Sequence, residues 1–403
     1  MENHNTPITT QVAEAEKTNI KPILPGATIG ILGGGQLGRM IALAGRNMGY
    51  RFAVLDPTPD SPCGQAADRQ ITAGYADEAA ARELASLSDV ITYEFENVNA
   101  GVAAVLERES FVPQGSALLR TTQHRLREKQ AIEAAGAIVA PYREVLDLPD
   151  LRRSIAELGL PCVLKTSTGG YDGKGQRVIR RAEEAADAFA ALGGGGVELI
   201  LEGFVDFQME ISVVAARSVD GTVSAFPPAE NVHVNGILHT SAVPARIGEE
   251  LAREACALAA KIAESLNVAG LIAVEMFVGK DGTLYVNELA PRPHNSGHYT
   301  MDACTVSQFE QHIRAICGLP LTEPRLLTPV VMVNVLGEHV EPLLRWLESG
   351  GERRLPEGVT AKLHLYGKAE AKPGRKMGHV NLLTNDIEKA LRWVETCGIW
   401  RES

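Results

Sequence analysis

Cysteine is sparse in this chain of 403 residues: six thiols (Cys63, Cys162, Cys256, Cys304, Cys317 and Cys397), scattered, with no C-x-x-C pair. That spacing argues against a stapled secreted scaffold or a thiolate metal site, and fits reduced, buried residues of a cytoplasmic protein. Long apolar runs are missing too. No stretch is long enough to span a bilayer, so no membrane partner is expected. The first 25 residues are polar and lack the apolar centre of a signal peptide, and residues 1–26 read as a disordered arm. Positive charge is also short, with 39 Lys and Arg against 50 Asp and Glu, a net charge of -11. Non-specific nucleic-acid binding needs a basic face and is excluded. A phosphate ligand would have to be held by local cations, backbone N–H groups or metal ions, because the overall field repels it.

What the chain does have is glycine in patterned loops. "GILGGGQLGRM" contains G-x-G-x-x-G as Gly33, Gly35 and Gly38, between an apolar run and a helix-like segment. With Asp56 closing the next run, "FAVLDP", this reads on its face as a dinucleotide-binding fingerprint. From Thr28 to about Val112, apolar runs and helix-like segments alternate, which predicts a Rossmann-like parallel sheet over 27–121. "LLRTTQHRLREKQAIEAAG" reads as one charged helix closed by Gly136. Residues 122–318 then form a second region, with a β-rich, glycine-turned subdomain over about 140–210. Beyond a Pro-rich connection, 325–403 reads as a small β-rich tail. The expected fold class is therefore α/β and α+β in three parts.

The most informative physical feature is "LIAVEMFVGKDGTLYVNELAPR". Asp281-Gly282 is a two-residue hairpin signal between β-forming runs. A hairpin centred there pairs Phe277 with Val286, Met276 with Asn287 and Glu275 with Glu288. Two carboxylates then face each other with Cβ atoms ~5 Å apart. At an effective dielectric near 20 their repulsion is about 3 kcal/mol, large against a domain's stability. A shared proton, a divalent metal, a solvated face or a bulge that shifts the register would each resolve it.

"LPCVLKTSTGGYDGKGQRVI" places Lys165 at a strand end, before Gly169, Gly170, Gly173 and Gly175. So dense a glycine loop exposes many N–H groups that can wrap a phosphate chain, and Lys165 and Lys174 bracket it. It is not a Walker A loop, because G-x-x-x-x-G-K-[ST] is absent. Downstream, an apolar strand stops in Glu202-Gly203-Phe204-Val205 and the chain returns through Glu210. That arrangement offers backbone groups to a purine edge and an acid to ribose hydroxyls, and is equally an ordinary hairpin.

A strand lysine, a glycine lid, an E-x-x-V strand end and two facing glutamates, in that order, resemble the ATP-grasp enzymes. "GGGQLGRM", "TGGYDGKGQ", "NELAPRPHNSGH" and "KPGRKMGHVN" narrow the resemblance to the N5-carboxyaminoimidazole ribonucleotide synthetases, from about Ile29 to Gly398. The resemblance implies that the first glycine loop faces a ribonucleotide phosphate at a helix N-terminus, through Gln36 and Leu37, and not NAD. Asp56 becomes a strand-end residue, and Glu94 of "TYEFEN" lies near the aminoimidazole. Around ATP it places Arg125, Lys165, Gly170, Tyr171, Asp172, Gly173, Lys174, Gly175, Gln176, Glu202, Gly203, Phe204, Val205, Glu210 and His233. Asn287 and Glu288 complete that site, although strict alternation would turn Asn287 to the other face. Glu275 and Glu288 become ligands of two Mg²⁺ ions. Aminoimidazole ribonucleotide (AIR) and bicarbonate fall to Tyr171, Asp172, Lys174, Arg292, His294, Asn295, Ser296, Lys368 and Arg375. Of these, Lys174, Arg292, His294, Tyr171 and Asp172 are the candidate catalytic residues. A zinc site at His294 and His298 is set aside for want of a third ligand.

The implied activity is that of a carbon–nitrogen ligase of purine biosynthesis. ATP and bicarbonate give carboxyphosphate, which carboxylates AIR without biotin, in a cytoplasmic homodimer. The alternatives are another ATP-grasp ligase, such as the formate-dependent glycinamide ribonucleotide transformylase, a nicotinamide-dependent oxidoreductase, or a non-catalytic nucleotide sensor.

Overall fold

The structure is a computed structural model and describes residues 21–96, 98–170 and 174–400. Residues 21–26, expected in the disordered arm, are tied down: Ile23 N–H donates to Cys317 O at 2.9 Å, and Tyr50 Oη donates to Ile23 O. Residues 1–20 lie outside the described residues.

Strands Thr28–Leu32, Arg51–Asp56, Arg69–Thr72 and Val90–Tyr93 form a four-stranded parallel sheet. The first is central, between the second and the fourth. Three of the runs are mainly apolar because helices cover both faces, and Ile29, Ile31, Val54, Leu55 and Ile91 are fully buried, whereas the edge strand Arg69–Thr72 buries only Ile71. Helix Gln36–Asn47 starts at the glycine loop, and helices Glu78–Ser86 and Ala100–Glu109 begin at Asp77 and Asn99, whose side chains cap their first N–H groups.

The long charged helix is in fact two, Ser116–Thr122 and Arg125–Ala134. His124 is extended between them, and Arg125 N–H donates to Ser167 O at 2.9 Å, outside its own helix. The break anchors the second helix to the loop that follows Lys165. Strands Tyr142–Val145, Leu199–Gly203, Cys162–Thr166 and Gln176–Ile179 make an antiparallel sheet backed by helices Leu148–Leu158 and Ala185–Ala191.

The largest sheet has ten strands among the described residues. At its heart Phe207–Arg217 pairs with Gly270–Gly279 over almost its whole length. Helix Glu249–Ser265 packs beneath through Ala255, Ala259, Ile262 and Ala263, in one apolar cluster with Val213 and Ile272. The tail does not fold apart from this sheet. Its strands Val330–Leu336, Lys376–Thr384 and Val359–Leu365 extend it past Ile237–Val243, and helices Gly337–Glu348 and Ile387–Thr396 cover them.

Candidate active site

The three regions close on one cavity of about 500 Å³. Its floor is the hairpin Gly270–Gly279 and Leu284–Ala290, where Glu275 does pair with Glu288. The route to that register differs from the sequence expectation. Gly279 N–H donates to Thr283 O, so the turn holds three residues, 280–282, with Gly282 at φ +85° where other side chains are strained. This slips the register by one, so that Met276 faces Val286 and Phe277 faces Tyr285 rather than Asn287 and Val286. A bulge at Asn287 then restores it, and turns Asn287 and Glu288 together toward the cavity.

At one end of the cavity stands a buried charge network. Lys165 Nζ lies 2.9 Å and Lys129 Nζ 3.4 Å from the Glu202 carboxylate. Burial would raise Glu202, but the two ammonium groups hold it below the usual carboxylate range; burial pushes Lys129 down. Arg125 lies 3.5 Å from both Glu288 and Gly170 O. Glu128 accepts from Leu289 N–H at 2.8 Å, fixing the backbone beside Glu288. Glu210 and His233 pair at 2.6 Å. Gly203, Phe204, Val205, Lys174 and Gln176 line the same end. Gly203 N–H is already taken by Pro141 O, so it is not among the groups a purine can use. Gly175, expected at the nucleotide, is not among the lining residues, and its carbonyl accepts from Thr166 N–H at 2.9 Å. Tyr171, Asp172 and Gly173 lie outside the described residues.

Gln36 and Leu37 line the opposite end, below the glycine loop. The loop's other amides are occupied. The Glu94 carboxylate accepts from Gly35 and Gly38 N–H, and Asp56 accepts from Gly34 N–H at 2.7 Å and Tyr75 Oη at 2.5 Å. Asp56 is thus a buried anchor of the loop, more than a strand-end residue. A Cβ at Gly35 would stand 2.6 Å from Glu94, so the glycines make room for a carboxylate, not for a dinucleotide. Glu94, expected beside the aminoimidazole, sits under the turn and does not line the cavity; burial raises it to about 7. Glu96 takes the cavity position and pairs with Arg292. Burial would raise it, but Arg292 brings it to about 2.

His294 Nε2 lies 3.1 Å from Glu275. Burial opposes ionisation of Glu275, and the His294 hydrogen bond outweighs it, setting the carboxyl at about 2. Asn295 lines the cavity with its amide nitrogen and oxygen buried and without hydrogen-bond partners, as a group built for a ligand would be. Ser296, expected at the substrate, is 1% exposed, and its hydroxyl bonds to Ser212 and His294, so its side chain supports the wall. Lys368 bonds to Lys376 O at 2.6 Å and is lowered by burial to about 8; Arg375 is exposed, with its guanidinium on Glu370 O. Neither lines the cavity, whereas Lys376 does. His298 reaches it too, buried against His379 with the rings tilted at 32° and 4.7 Å between ring centres.

Lys129, Glu96 and Lys376 were not anticipated. Lys129 follows Arg125 by four residues, one helical turn, and Glu96 follows Glu94 by two. Those spacings were available signals. Among the described residues no three His, Cys, Asp or Glu side chains form a metal-holding group. Two carboxylates beside an amide, all oxygen donors, still fit Mg²⁺, which keeps waters and shares phosphate oxygens.

Three family models match successive stretches of the chain. They are the ribonucleotide synthetase preATP-grasp domain at residues 26–123, the ATP-grasp domain at 130–309 and the phosphoribosylaminoimidazole carboxylase C-terminal domain at 330–392. The chain is 54% identical over 373 residues to the N5-carboxyaminoimidazole ribonucleotide synthase of Bacillus subtilis strain 168, covering 93% of this chain and 95% of that one. A solved ADP complex of an N5-carboxyaminoimidazole ribonucleotide synthetase matches at 57% identity with a TM-score of 0.89, covering 94% and 98%. An Aspergillus clavatus synthase in complex with ADP and 5-aminoimidazole ribonucleotide matches at 30% identity with a TM-score of 0.83, covering 92% and 96%.

Proposed function

The chain belongs to the N5-carboxyaminoimidazole ribonucleotide synthases, a family of ATP-grasp ligases, and from that premise we propose how its cavity performs the ATP-dependent carboxylation of AIR in purine biosynthesis. The observation that carries the reading is the bulged hairpin, which presents Glu275, Asn287 and Glu288 to one cavity between two unlike ends. The end with Lys165 and Arg125 suits a polyphosphate, with Lys129 buried behind Glu202, and the strand end Glu202–Val205 suits the base. The end with Gln36, Arg292, His294 and Asn295 suits AIR and bicarbonate.

A bicarbonate oxygen attacks the γ-phosphoryl of ATP, and ADP leaves as carboxyphosphate forms. Lys165 and Arg292 stabilise the transferred phosphoryl, and the loop carrying Gly170 and Lys174 closes to exclude water from a labile intermediate. The exocyclic amine of AIR then takes the carboxyl group, directly or as released CO2, and inorganic phosphate leaves carrying the amine proton. Mg²⁺ held by Glu275 and Glu288 would supply neutralising charge for the phosphate tail. Work as a cytoplasmic homodimer belongs to the same proposal.

ADP release measured with AIR and bicarbonate omitted in turn tests the reading. Full turnover requires both, and formate does not replace bicarbonate. Turnover on formate would assign the chain to the transformylase reaction instead. ATP binding without consumption would make it a sensor.

A further inference from the structure

Both ring nitrogens of His294 are engaged, Nε2 by Glu275 at 3.1 Å and Nδ1 by Ser296 Oγ at 2.8 Å. Whether such a histidine donates to an anion or takes a proton depends on which nitrogen carries its hydrogen, and the partner of the other nitrogen sets that. Behind Ser296 runs a line of side chains crossing three strands of the large sheet. Ser212 Oγ lies 2.6 Å from Ser296 Oγ, Asn231 Nδ2 2.8 Å from Ser212 Oγ, and Ser241 Oγ 2.7 Å from Asn231 Oδ1. Ser241 is 0%, Ser296 1%, Ser212 2% and Asn231 6% exposed, so bulk water does not compete for these bonds. A buried polar line of this kind is tolerated only when each member is satisfied.

Counting donors and acceptors leaves two self-consistent polarities. Turning the Asn231 amide over would reverse each proton along the line and leave the imidazole hydrogen on Nδ1. A donor that cannot rotate decides between them: the backbone N–H of Ser296 also points at His294 Nδ1, at 3.4 Å. A hydrogen on Nδ1 would meet that N–H donor to donor. Nδ1 is therefore the acceptor. Ser241 donates to Asn231, Asn231 to Ser212, Ser212 to Ser296, Ser296 to His294 Nδ1, and His294 Nε2–H to Glu275.

We propose that Ser241, Asn231, Ser212 and Ser296 are positioning residues that hold His294 in its Nε2–H tautomer, a hydrogen-bond donor to anionic oxygen at the reacting end of the cavity. In that state Nδ1 is filled and Nε2 has no lone pair, so His294 is not the base that takes the amine proton of the acceptor. The catalytic consequence rests on the carboxylation reading above; the tautomer does not.

The test uses the full chain labelled with ¹⁵N-histidine and a long-range ¹H–¹⁵N correlation spectrum, with His294 identified as the signal lost in His294→Gln. The expected pattern is a protonated Nε2 and a bare Nδ1. Ser296→Ala should mix the tautomers and lower kcat by about 10- to 100-fold, with KM for ATP unchanged. Ser212→Ala, one bond further back, should do the same more weakly. A hydrogen on Nδ1 of the unsubstituted chain overturns the proposal whatever the activity, and so does a Ser296→Ala chain with unchanged tautomer and unchanged kcat. The expected tautomer in a chain that needs neither AIR nor bicarbonate would uphold the positioning line and sink the reaction.

Discussion

Replacing Glu94 with glutamine should make the protein more stable at pH 8 and leave it nearly unchanged at pH 4.5. The side chain is buried, and its carboxyl is raised from 4.5 to about 7, chiefly by burial against the pull of two backbone N–H donors. A raised acid binds its proton more tightly in the folded chain. Its contribution to stability is therefore fully present below pH 4.5 and is lost as the pH rises through 7. The shift corresponds to about 3 kcal/mol, or about 4 °C in Tm for a chain of this length. Glutamine never ionises. Its single acceptor keeps one of the two loop bonds, as a protonated glutamate does, so the two chains start level in acid. Thermal unfolding of both, followed across pH 4.5 to 8, reads the difference directly. The curves should separate as the pH rises, with the variant above. Parallel curves, or a variant that falls below the unsubstituted chain at pH 8, would show that Glu94 is ionised without cost and that the loop amides fully compensate its burial. The variant should also raise KM for AIR, because the loop that presents Gln36 and Leu37 loses one of its two anchors.

Glu288→Gln should abolish turnover, by at least about 10²-fold, while the fold is kept and Tm rises slightly, since a ligand is lost but a facing charge is removed; unchanged ADP release and unchanged Tm would refute the metal assignment. Glu202→Gln leaves Lys129, 2% exposed, with no carboxylate at its ammonium, and should cost about 3–5 kcal/mol in a denaturant titration; a loss under about 1 kcal/mol would mean that Lys129 is neutral in the fold. Lys174→Ala should impair ADP release more in the presence of AIR than in AIR-independent hydrolysis, and equal defects would move this lysine to the nucleotide.

Local pattern carried most of the architecture. Alternating apolar runs and amphipathic segments are set by neighbours in sequence, so the parallel sheet and the glycine-turned region after Lys165 were legible without coordinates. What sequence could not supply was which distant group fills a local opening. The loop at Gly33, Gly35 and Gly38 looks the same whether it cradles a pyrophosphate or closes over a carboxylate 59 residues away. Only the parallel pairing of Thr28–Leu32 with Val90–Tyr93 brings Glu94 beneath it. Nor does any sequence signal join the tail to the large sheet, because the pairing of Ile237–Val243 with Val330–Leu336 spans almost a hundred residues.

The hairpin shows why a right conclusion can follow from partly wrong geometry. A two-residue turn at Asp281-Gly282 and strict alternation place Glu275 opposite Glu288. The actual three-residue turn would, alone, have set Glu275 opposite Asn287 and turned Glu288 away. The bulge at Asn287 cancels that slip, and only because both departures occur do the two carboxylates share the cavity with the amide. Each departure by itself is unremarkable. Their conjunction is what brings both acids and the amide to one wall of the cavity, at the cost of a ladder hydrogen bond at the bulge. Deleting Asn287, which removes the bulge and leaves the turn, should therefore keep Val286 opposite Met276 and Glu288 opposite Glu275, so that the two acids stay paired and only the amide and the kink are lost. ADP release should fall with the hairpin and both carboxylates in place, and unchanged release would show that the bulge and the Asn287 amide do nothing for the site.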